Sequence, residues 1–271
     1  MIDPRTVPVR FSRLKNIGLS PAHYVASLTD DDDTLARRIG RGVHAVLFNQ
    51  PFAVWDGGQR RGKKWDAWKK KHADVVQLNV KEHAHSKAVA DAVLNNSIAR
   101  DLLFGDDTVR EETLEWRVNG RLCRGTPDCR NRRRVVDLKT HRRMPPARFV
   151  QAAQWMGYAA QLDWYREGGV CNGLVDEDAE LFIVAVESVR PYAVTCYRLT
   201  DRAAEMGRKQ WSGWMESLLV CEASGMFPAY AQSILPFDVA DDDELQWGDE
   251  GDDNPPDPEW IGADNNEAEA A

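Results

Sequence analysis

Apolar residues recur at helical spacing in the N-terminal third of the chain. From Thr34 they fall three or four positions apart as far as Phe48, which predicts a helix that Pro51 ends. Ser20 followed by Pro21 marks an earlier helix start, because serine caps helices and proline fits their first turn. A further helix of about 15 residues is predicted beyond position 72. Its buried stripe consists of Ala88, Val89, Ala92 and Val93.

The middle of the chain has the pattern of strands. Residues Leu114–Val118 alternate between apolar and polar, and Asn119-Gly120 follows as a strong hairpin signal. The returning strand is predicted over Arg121–Gly125, and a polar turn after Asp128 leads to an apolar strand over Val135–Leu138.

The C-terminal half predicts two long helices around a pair of strands. The first helix is expected from about Ala147 to Arg166, ended by Gly168-Gly169. Strands are expected over Glu180–Val186 and Ala193–Leu199, and a last helix over Asp201–Ala223. This order of elements predicts an α/β fold around one central mixed β-sheet flanked by helices.

Composition narrows the class of protein. The 271 residues are enough for one large domain or two small ones with a real core. No apolar run approaches 18 residues, so no membrane span is expected, and the first residues lack the apolar stretch of a signal peptide. Five scattered cysteines without a CxxC pair predict reduced thiols in a cytoplasm and argue against a zinc or iron–sulfur site.

The charge is unevenly distributed. From Asp238 to the end the chain has fourteen Asp or Glu and no Lys or Arg, so the net charge of −8 leaves +6 on residues 1–237. Beyond Leu235 the composition shifts to Asp, Glu, Gly, Pro and Asn, which predicts a disordered tail over 236–271. That tail is interpreted as a solubilising appendage, a competitor of DNA for a basic groove, or a docking segment for a partner.

Two carboxylates and a lysine mark the candidate chemistry. Asp128 and Asp137 can hold Mg²⁺, which needs few protein carboxylates and keeps positions for water and a phosphate oxygen. The strand period of two puts Asp137 and Lys139 on one face while Leu138 packs into the core and offers its backbone carbonyl as a further ligand. Lys139 can then orient water or stabilise developing negative charge.

These residues resemble a known nuclease signature. Pro127-Asp128 followed by Asp137-x-Lys139 is similar to the PD-(D/E)xK motif, and the helix Arg38–Leu47, with His44, resembles the histidine-bearing helix of the RecB and exonuclease VIII (RecE-like) branches. Gln161 and Tyr165 match the Q-x-x-x-Y motif of the same branches. With Tyr158 they share one helix face.

The resemblance covers roughly residues 18–235 and implies a restriction-endonuclease-like core, taken as a nuclease domain over 1–235. It implies that His44, Asp128, Asp137 and the Leu138 carbonyl hold metal, that Lys139 assists water, and that Gln161 and Tyr165 support the substrate. Either Glu112 or Glu115 is expected as an additional acid. Two basic stretches beside this centre are expected to bind DNA phosphates. Their candidate contacts are Arg60, Arg61, Lys63, Lys64, Arg124, Arg132, Arg133, Thr140 and Arg142.

The resemblance also implies an activity: a Mg²⁺-dependent exonuclease, with Mn²⁺ able to substitute, that degrades double-stranded DNA ends 5′→3′ and leaves 3′ single strands. A single-strand annealing protein as partner, a ring-shaped homo-oligomer, and a phage or prophage origin in the cytoplasm of a bacterial host are expected on the same ground. Two alternatives stay open: a RecB-like or structure-specific endonuclease or single-strand nuclease, and a non-catalytic DNA-binding partner of an annealing protein. Trp65 and Trp68 are expected either to stack on a frayed DNA end or to pack against the body.

Overall fold

A computed structural model of the chain describes residues 3–29, 33–231 and 233–235. Its helices are α1 (Phe11–Leu14), α2 (Pro21–Ser27), α3 (Leu35–Leu47), α4 (Gly62–Lys71), α5 (Val80–Asn95), α6 (Ser97–Phe104), α7 (Pro146–Trp155), α8 (Tyr158–Cys171) and α9 (Asp201–Ser224). Its strands are β1 (Val9–Arg10), β2 (Phe52–Trp55), β3 (Val76–Asn79), β4 (Val109–Arg110), β5 (Leu114–Val118), β6 (Arg121–Gly125), β7 (Cys129–Arg130), β8 (Arg134–His141), β9 (Glu180–Glu187) and β10 (Val194–Arg198). The predicted tail over 236–271 lies outside the described residues.

A five-stranded mixed sheet forms the centre, in the order β10-β9-β8-β7-β4. Strands β8 and β9 are parallel, and the other neighbours are antiparallel. In the pairing of β7 with β8, Cys129 lies opposite Val136. Continuing that antiparallel register by one residue brings Asp128 opposite Asp137. The sheet therefore places the two predicted carboxylates side by side, Asp128 just before β7 and Asp137 in the middle of β8.

The predicted hairpin is confirmed with its predicted bounds. Strands β5 and β6 pair antiparallel, and the turn residues Asn119 and Gly120 have φ values of 49° and 80°. A two-residue turn with both central residues in the left-handed region matches the twist of the strands it joins. Strand β1 adds to β6 in parallel and completes a three-stranded sheet.

The N-terminal helices begin where the sequence predicts. The Ser20 side chain accepts a hydrogen bond from the His23 backbone at the start of α2, and the Thr34 side chain accepts one from the Arg37 backbone at the start of α3. Helix α3 packs against α5, and Gly42 allows the close approach because a Cβ there would collide with the Ser86 hydroxyl. This packing holds α3, and with it His44, over one end of the central sheet.

Two predictions about the architecture are wrong. The helix expected over 147–166 is broken into α7 and α8 by Gly157, whose φ of 72° is left-handed and cannot continue a right-handed helix. Gly168 and Gly169 lie inside α8 rather than ending it; a Cβ at either position would collide with Trp116 or Val175. The predicted α/β fold around a central mixed sheet flanked by helices is confirmed, and the three-stranded sheet and a two-stranded parallel sheet of β2 and β3 are additional to it.

The apolar cores follow these layers. One core lies between α3, α5, α6 and one face of the central sheet, a second lies between α7, α8 and the other face, and a third joins α8 and α9 to the hairpin. Leu138 belongs to the first core and is 2% exposed, as its place between two charged residues predicts. Among the described helices, none combines the length and the apolar character needed to cross a bilayer.

Candidate active site

Three side chains from separate elements converge at the end of the central sheet. His44 comes from α3, Glu111 follows β4, and Asp128 precedes β7. The Nδ1 atom of His44 lies 3.2 Å from Glu111 Oε1 and 3.5 Å from Asp128 Oδ1. Potential ligand atoms of all three residues lie within 4.8 Å of one another, which makes them a candidate metal-binding group.

Backbone contacts fix the two acids of this group. The Oδ2 atom of Asp128 accepts a hydrogen bond from the Leu138 N–H at 2.5 Å. Because the N–H and C=O of one strand residue point to the same edge, the Leu138 carbonyl faces that side too. The Glu111 N–H donates to the Asp128 carbonyl at 3.0 Å, and Glu111 has a φ of 52°. A left-handed glutamate is uncommon and such conformations cluster at functional sites.

A second group of polar side chains lies alongside, around Lys139. Its Nζ atom is 2.5 Å from Asp137 Oδ2 and donates to Gln161 Oε1 at 2.8 Å. The Gln161 amide in turn donates to the Tyr165 hydroxyl at 2.8 Å, and the Lys139 ammonium lies 4.6 Å from the centre of the Tyr158 ring. The three residues on one face of α8 thus all take part in a chain of contacts that starts at Asp137.

The electrostatics of the site are set by burial and by opposed charges. Burial disfavours the charged form of His44, but the carboxylates of Asp128, Glu111 and Asp137 outweigh it and raise the pKa of His44 to about 9. Burial raises the pKa of Asp128 to about 7, with His44 and Lys139 opposing the shift and Asp137 reinforcing it. Burial would lower the pKa of Lys139, but Asp137 holds it above its ordinary value, so Lys139 stays an ammonium at neutral pH.

The residues present fit a divalent cation. Carboxylate and carbonyl oxygens are the ligands of Mg²⁺ and Mn²⁺, and imidazole is a common ligand of transition metals. Asp128 is 7% exposed, and burial disfavours its charged form until a cation compensates it. A cavity of about 340 Å³, lined by Gly40, Arg41, His44, Gln50, Val76 and Glu111, opens beside the group. The centre is therefore accessible from outside.

The structure gives the position of an additional acid to Glu111, not to Glu112 or Glu115. The Glu112 carboxylate pairs with the guanidinium of Arg130, and the Glu115 carboxylate pairs with that of Arg124. The expectation for Glu112 or Glu115 followed strand alternation, whereas Glu111 lies before β5 in the left-handed conformation. The only signal for Glu111 in the sequence was the pair Glu111-Glu112 just before a strand. Strand periodicity does not show which of the two faces the site.

The predicted DNA contacts divide into exposed and internal side chains. Arg60 is internal: its guanidinium pairs with the buried Glu82, donates to the Gln77 carbonyl and lies over the Trp65 ring. Arg124 is held by Glu115. Four others are exposed, namely Arg61, Lys63, Lys64 and Arg133.

The remaining contacts lie around β8. Arg132 is exposed and paired with Asp176 at 3.0 Å, and Arg142 is exposed just beyond the strand. Thr140 lies at the contact of β8 with α3, where a Cβ at Gly40 would be 3.3 Å from its Oγ1 atom. Arg60 is thus corrected to a structural ion pair, because the buried Glu82 occupies its guanidinium group, whereas Arg124, paired with the exposed Glu115, stays a predicted contact.

The tryptophans of the basic stretch are engaged with each other. Trp65 and Trp68 stack with ring centres 5.4 Å apart, and each also contacts the Trp55 ring at 5.5 Å. His72 lies against Trp68 at 4.4 Å, and Arg60 lies over Trp65. Of the two expectations for these residues, the structure supports packing against the body.

Comparison with known proteins points to a nuclease family and to a similar fold. The profile of a family described as a PDDEXK-like domain of unknown function (DUF3799) matches residues 10–235. A crystal structure titled "Putative exonuclease" from Eubacterium rectale is similar over 89% of this chain and 93% of that chain, with 14% sequence identity and a TM-score of 0.62. At that identity the similarity shows the fold alone.

A second solved structure, SSO0001, aligns over 82% of this chain and 96% of its own with 13% identity, at a TM-score of 0.29. Curated proteins gave no significant match. The family profile spans most of the chain, and the motif residues Asp128, Asp137 and Lys139 meet at one end of the central sheet. This agreement supports a nuclease. The chain belongs to the PDDEXK-like DUF3799 family and has the fold of the PD-(D/E)xK nucleases.

Proposed function

We propose that the protein is a Mg²⁺-dependent deoxyribonuclease that degrades double-stranded DNA from its ends. The observation that supports this best is the proximity of two groups: His44, Glu111 and Asp128 as candidate ligands, and Asp137 with Lys139 next to them. Phosphodiester hydrolysis requires charge neutralisation at the phosphate and an activated water, and these two groups offer residues for both tasks.

The chain's side of the chemistry follows from the contacts. His44, Glu111, Asp128 and the Leu138 carbonyl would hold the cation, and Asp137 stands next to them opposite Asp128. Mg²⁺ bound there supplies positive charge for the phosphate and lowers the pKa of a bound water. The strand geometry keeps these donors in place before substrate arrives, because Asp128 is tied to Leu138 and Glu111 is tied to Asp128.

Lys139 is assigned the role of a fixed cation, not of a general base. Its pKa lies above its ordinary value, so the amine does not accept a proton at neutral pH. An ammonium held by Asp137 and Gln161 can donate to the attacking water or to a phosphate oxygen without moving. Gln161, itself bound to Tyr165, holds the Lys139 ammonium next to Asp137.

The finer features of the proposal rest on the family resemblance. These are 5′→3′ polarity, the production of 3′ single strands for recombination by annealing, a single-strand annealing partner, and a ring-shaped oligomer in the cytoplasm of a phage-infected or lysogenic bacterium. The exposed cations Arg61, Lys63, Lys64, Arg133 and Arg142 are proposed to contact the phosphate backbone.

The test is digestion of a linear duplex labelled at both ends, with one 5′ end blocked, beside a covalently closed circle. The proposal expects Mg²⁺-dependent loss of the unblocked 5′ strand and an intact circle, and Mn²⁺ should replace Mg²⁺. Nicking or linearisation of the circle would instead indicate the endonuclease alternative, and degradation of single strands alone the RecB-like one.

Asp137→Ala tests whether the site is responsible. This variant is expected to lose degradation while it still binds duplex DNA in Ca²⁺, and Glu205→Ala, which removes an exposed acid of α9 that is paired with Lys209, serves as the control. Degradation at the wild-type rate by Asp137→Ala would contradict the site assignment. DNA binding without degradation by the wild-type protein would favour the non-catalytic alternative.

A further inference from the structure

The most basic helix of the structure, α4, carries five lysines and a single acid, Asp66. Within the described part of the chain, none of these five ammonium groups is paired with a carboxylate. Two exposed lysines elsewhere are paired, Lys87 with Asp91 at 2.7 Å and Lys209 with Glu205 at 2.6 Å, whereas Lys81 is exposed without such a partner among the described residues. What sets α4 apart is the concentration of five such lysines on a helix of ten residues.

The orientation of α4 follows from its tryptophans. Trp65 and Trp68 pack on the buried Trp55 of β2, so they define the inner side of the helix. At 100° per residue, Lys63 and Lys70 lie on the opposite side, and Lys64 and Lys71 lie in a second row on one flank of the helix. The two members of each row are seven residues, and so about 10.5 Å, apart along the axis. All four are exposed.

The helix is tied firmly to the body although none of its residues is fully buried. The Gln77 side chain donates to the carbonyls of Lys69 and His72 at the C-terminal end of the helix. Just before its N-terminal end, Arg60 forms an ion pair with Glu82, which is 5% exposed and caps α5. The lysine rows are thus carried on a rigid element, so binding them to a polyanion does not require the helix to be ordered first.

We propose that the exposed lysine surface of α4, with Lys63 and Lys70 on the outer side and Lys64 and Lys71 on the adjoining flank, binds the phosphate backbone of duplex DNA. Lysine is a compact point charge that binds phosphate without reading base sequence. This inference extends the proposed function and depends on DNA being the substrate. The lysine surface would hold the duplex through charge alone, independently of the residues that contact the scissile bond.

Duplex is favoured over single-stranded DNA because the aromatic rings beside the lysines are occupied. Non-specific single-strand binding combines a basic groove with aromatic faces on which bases stack. Trp65 and Trp68 stack on each other and contact Trp55, and Arg60 and His72 lie against them, so neither ring offers an open platform. What remains exposed on α4 is charge, which fits a continuous phosphate backbone.

The test measures how duplex binding depends on salt, in Ca²⁺ with no cleavage required. Each phosphate contact contributes about 0.9 to the slope of log affinity against log salt, so Lys63→Gln/Lys70→Gln is expected to lower the slope by about 1.8. The matched control, Lys87→Gln/Lys209→Gln, removes two exposed charges that are already paired and should leave the slope unchanged. On a single strand of the same length, two contacts would contribute about 1.4, and the decrease should stay well below that value.

The possible outcomes test the lysine surface of α4 separately from the nuclease activity. An unchanged slope in Lys63→Gln/Lys70→Gln, or an equal decrease in the control, would overturn the surface and leave the nuclease proposal standing. A decrease of about 1.4 for the single strand would mean that it makes the same two contacts, and would overturn the choice of duplex. A lysine-dependent slope in a protein that cleaves no DNA would support the surface and refute the activity, and failure to bind any DNA would refute both.

Discussion

Lys139 donates a hydrogen bond to Gln161 at 2.8 Å, and this contact joins the central sheet to the helix that covers it. The two residues lie 22 positions apart, on β8 and α8. The contact continues from Gln161 to Tyr165, so the helix face reaches the ammonium through one amide. The function of α8 in the proposed site is therefore to position Lys139 rather than to supply a catalytic group of its own.

Tyr165→Phe tests that chain. The substitution removes the acceptor of the Gln161 amide and keeps the ring, so Lys139 loses part of its support. Since a net hydrogen bond contributes about 0.5–1.5 kcal/mol, the single-turnover cleavage rate should fall roughly two- to tenfold. Tyr158→Phe is the control, because the ring near Lys139 is retained and its hydroxyl is not part of the chain; its rate should stay near wild type. Equal losses in both variants would contradict the assignment.

Glu111 is predicted to be a metal ligand. Glu111→Gln should weaken Mg²⁺ binding at least tenfold, measured by calorimetry, because it removes a charged donor from a group of three. The neighbouring Glu112→Gln is the matched control. It removes the partner of Arg130, whose side chain is 7% exposed. Because Glu112 itself is 41% exposed and screened by solvent, the loss should lower the free energy of unfolding by only about 1–2 kcal/mol. The Mg²⁺ affinity of Glu112→Gln should not change. Weaker Mg²⁺ binding in Glu112→Gln but not in Glu111→Gln would assign the ligand role to Glu112 instead.

The site shows which kinds of feature a single sequence reveals. Strand and helix periods predicted that Asp137 and Lys139 share one face and that Gln161 and Tyr165 share another, and the resemblance to nuclease motifs predicted that these faces belong to one site. Glu111 was not predictable in this way. It lies in no periodic element, and its direction depends on a left-handed φ and on a backbone hydrogen bond to Asp128, 17 residues later.

Ion pairs between distant residues were the second reason why predictions from the sequence were wrong. Arg60 is one of seven cations in residues 60–71 and looks like a surface residue in the sequence. Its guanidinium nevertheless pairs with Glu82, which lies 22 residues later at the start of α5. The broken helix has a similar origin, because one glycine inside an apolar helical pattern does not reveal its φ until the packing is known. Local patterns predicted the elements, and long-range partners decided which charges are free.

The pH dependence of metal binding follows from the raised pKa values at the centre. At pH 8 the metal-free site holds a proton on His44, whose pKa is about 9, while Asp128, with a pKa of about 7, is ionised. A ligating imidazole must be neutral, so Mg²⁺ has to displace that proton and its affinity should rise with pH until pH 9 is passed. Below pH 7 the affinity should fall more steeply, because Asp128 is then protonated too.

Calorimetry at pH 8 in buffers of different ionisation enthalpy measures this directly. Binding should release about one proton per metal ion in the wild type and close to none in His44→Asn. Release of no proton by the wild type would show that His44 is already neutral or is not a ligand.

The contact of α8 with α9 gives a prediction about stability from two glycines on one helix. A Cβ at Gly207 would lie 2.6 Å from the Ala159 backbone carbonyl carbon, which cannot move aside as a side chain can, whereas a Cβ at the exposed Gly213 meets nothing within 4 Å. Gly207→Ala should therefore lower the free energy of unfolding by about 1–3 kcal/mol through overpacking, despite the better helix propensity of alanine. Gly213→Ala gains that propensity without the clash and should raise it by about 0.5–1 kcal/mol. Thermal unfolding of the two variants should thus shift in opposite directions, and a stabilised Gly207→Ala would mean that α8 and α9 lie further apart than described here.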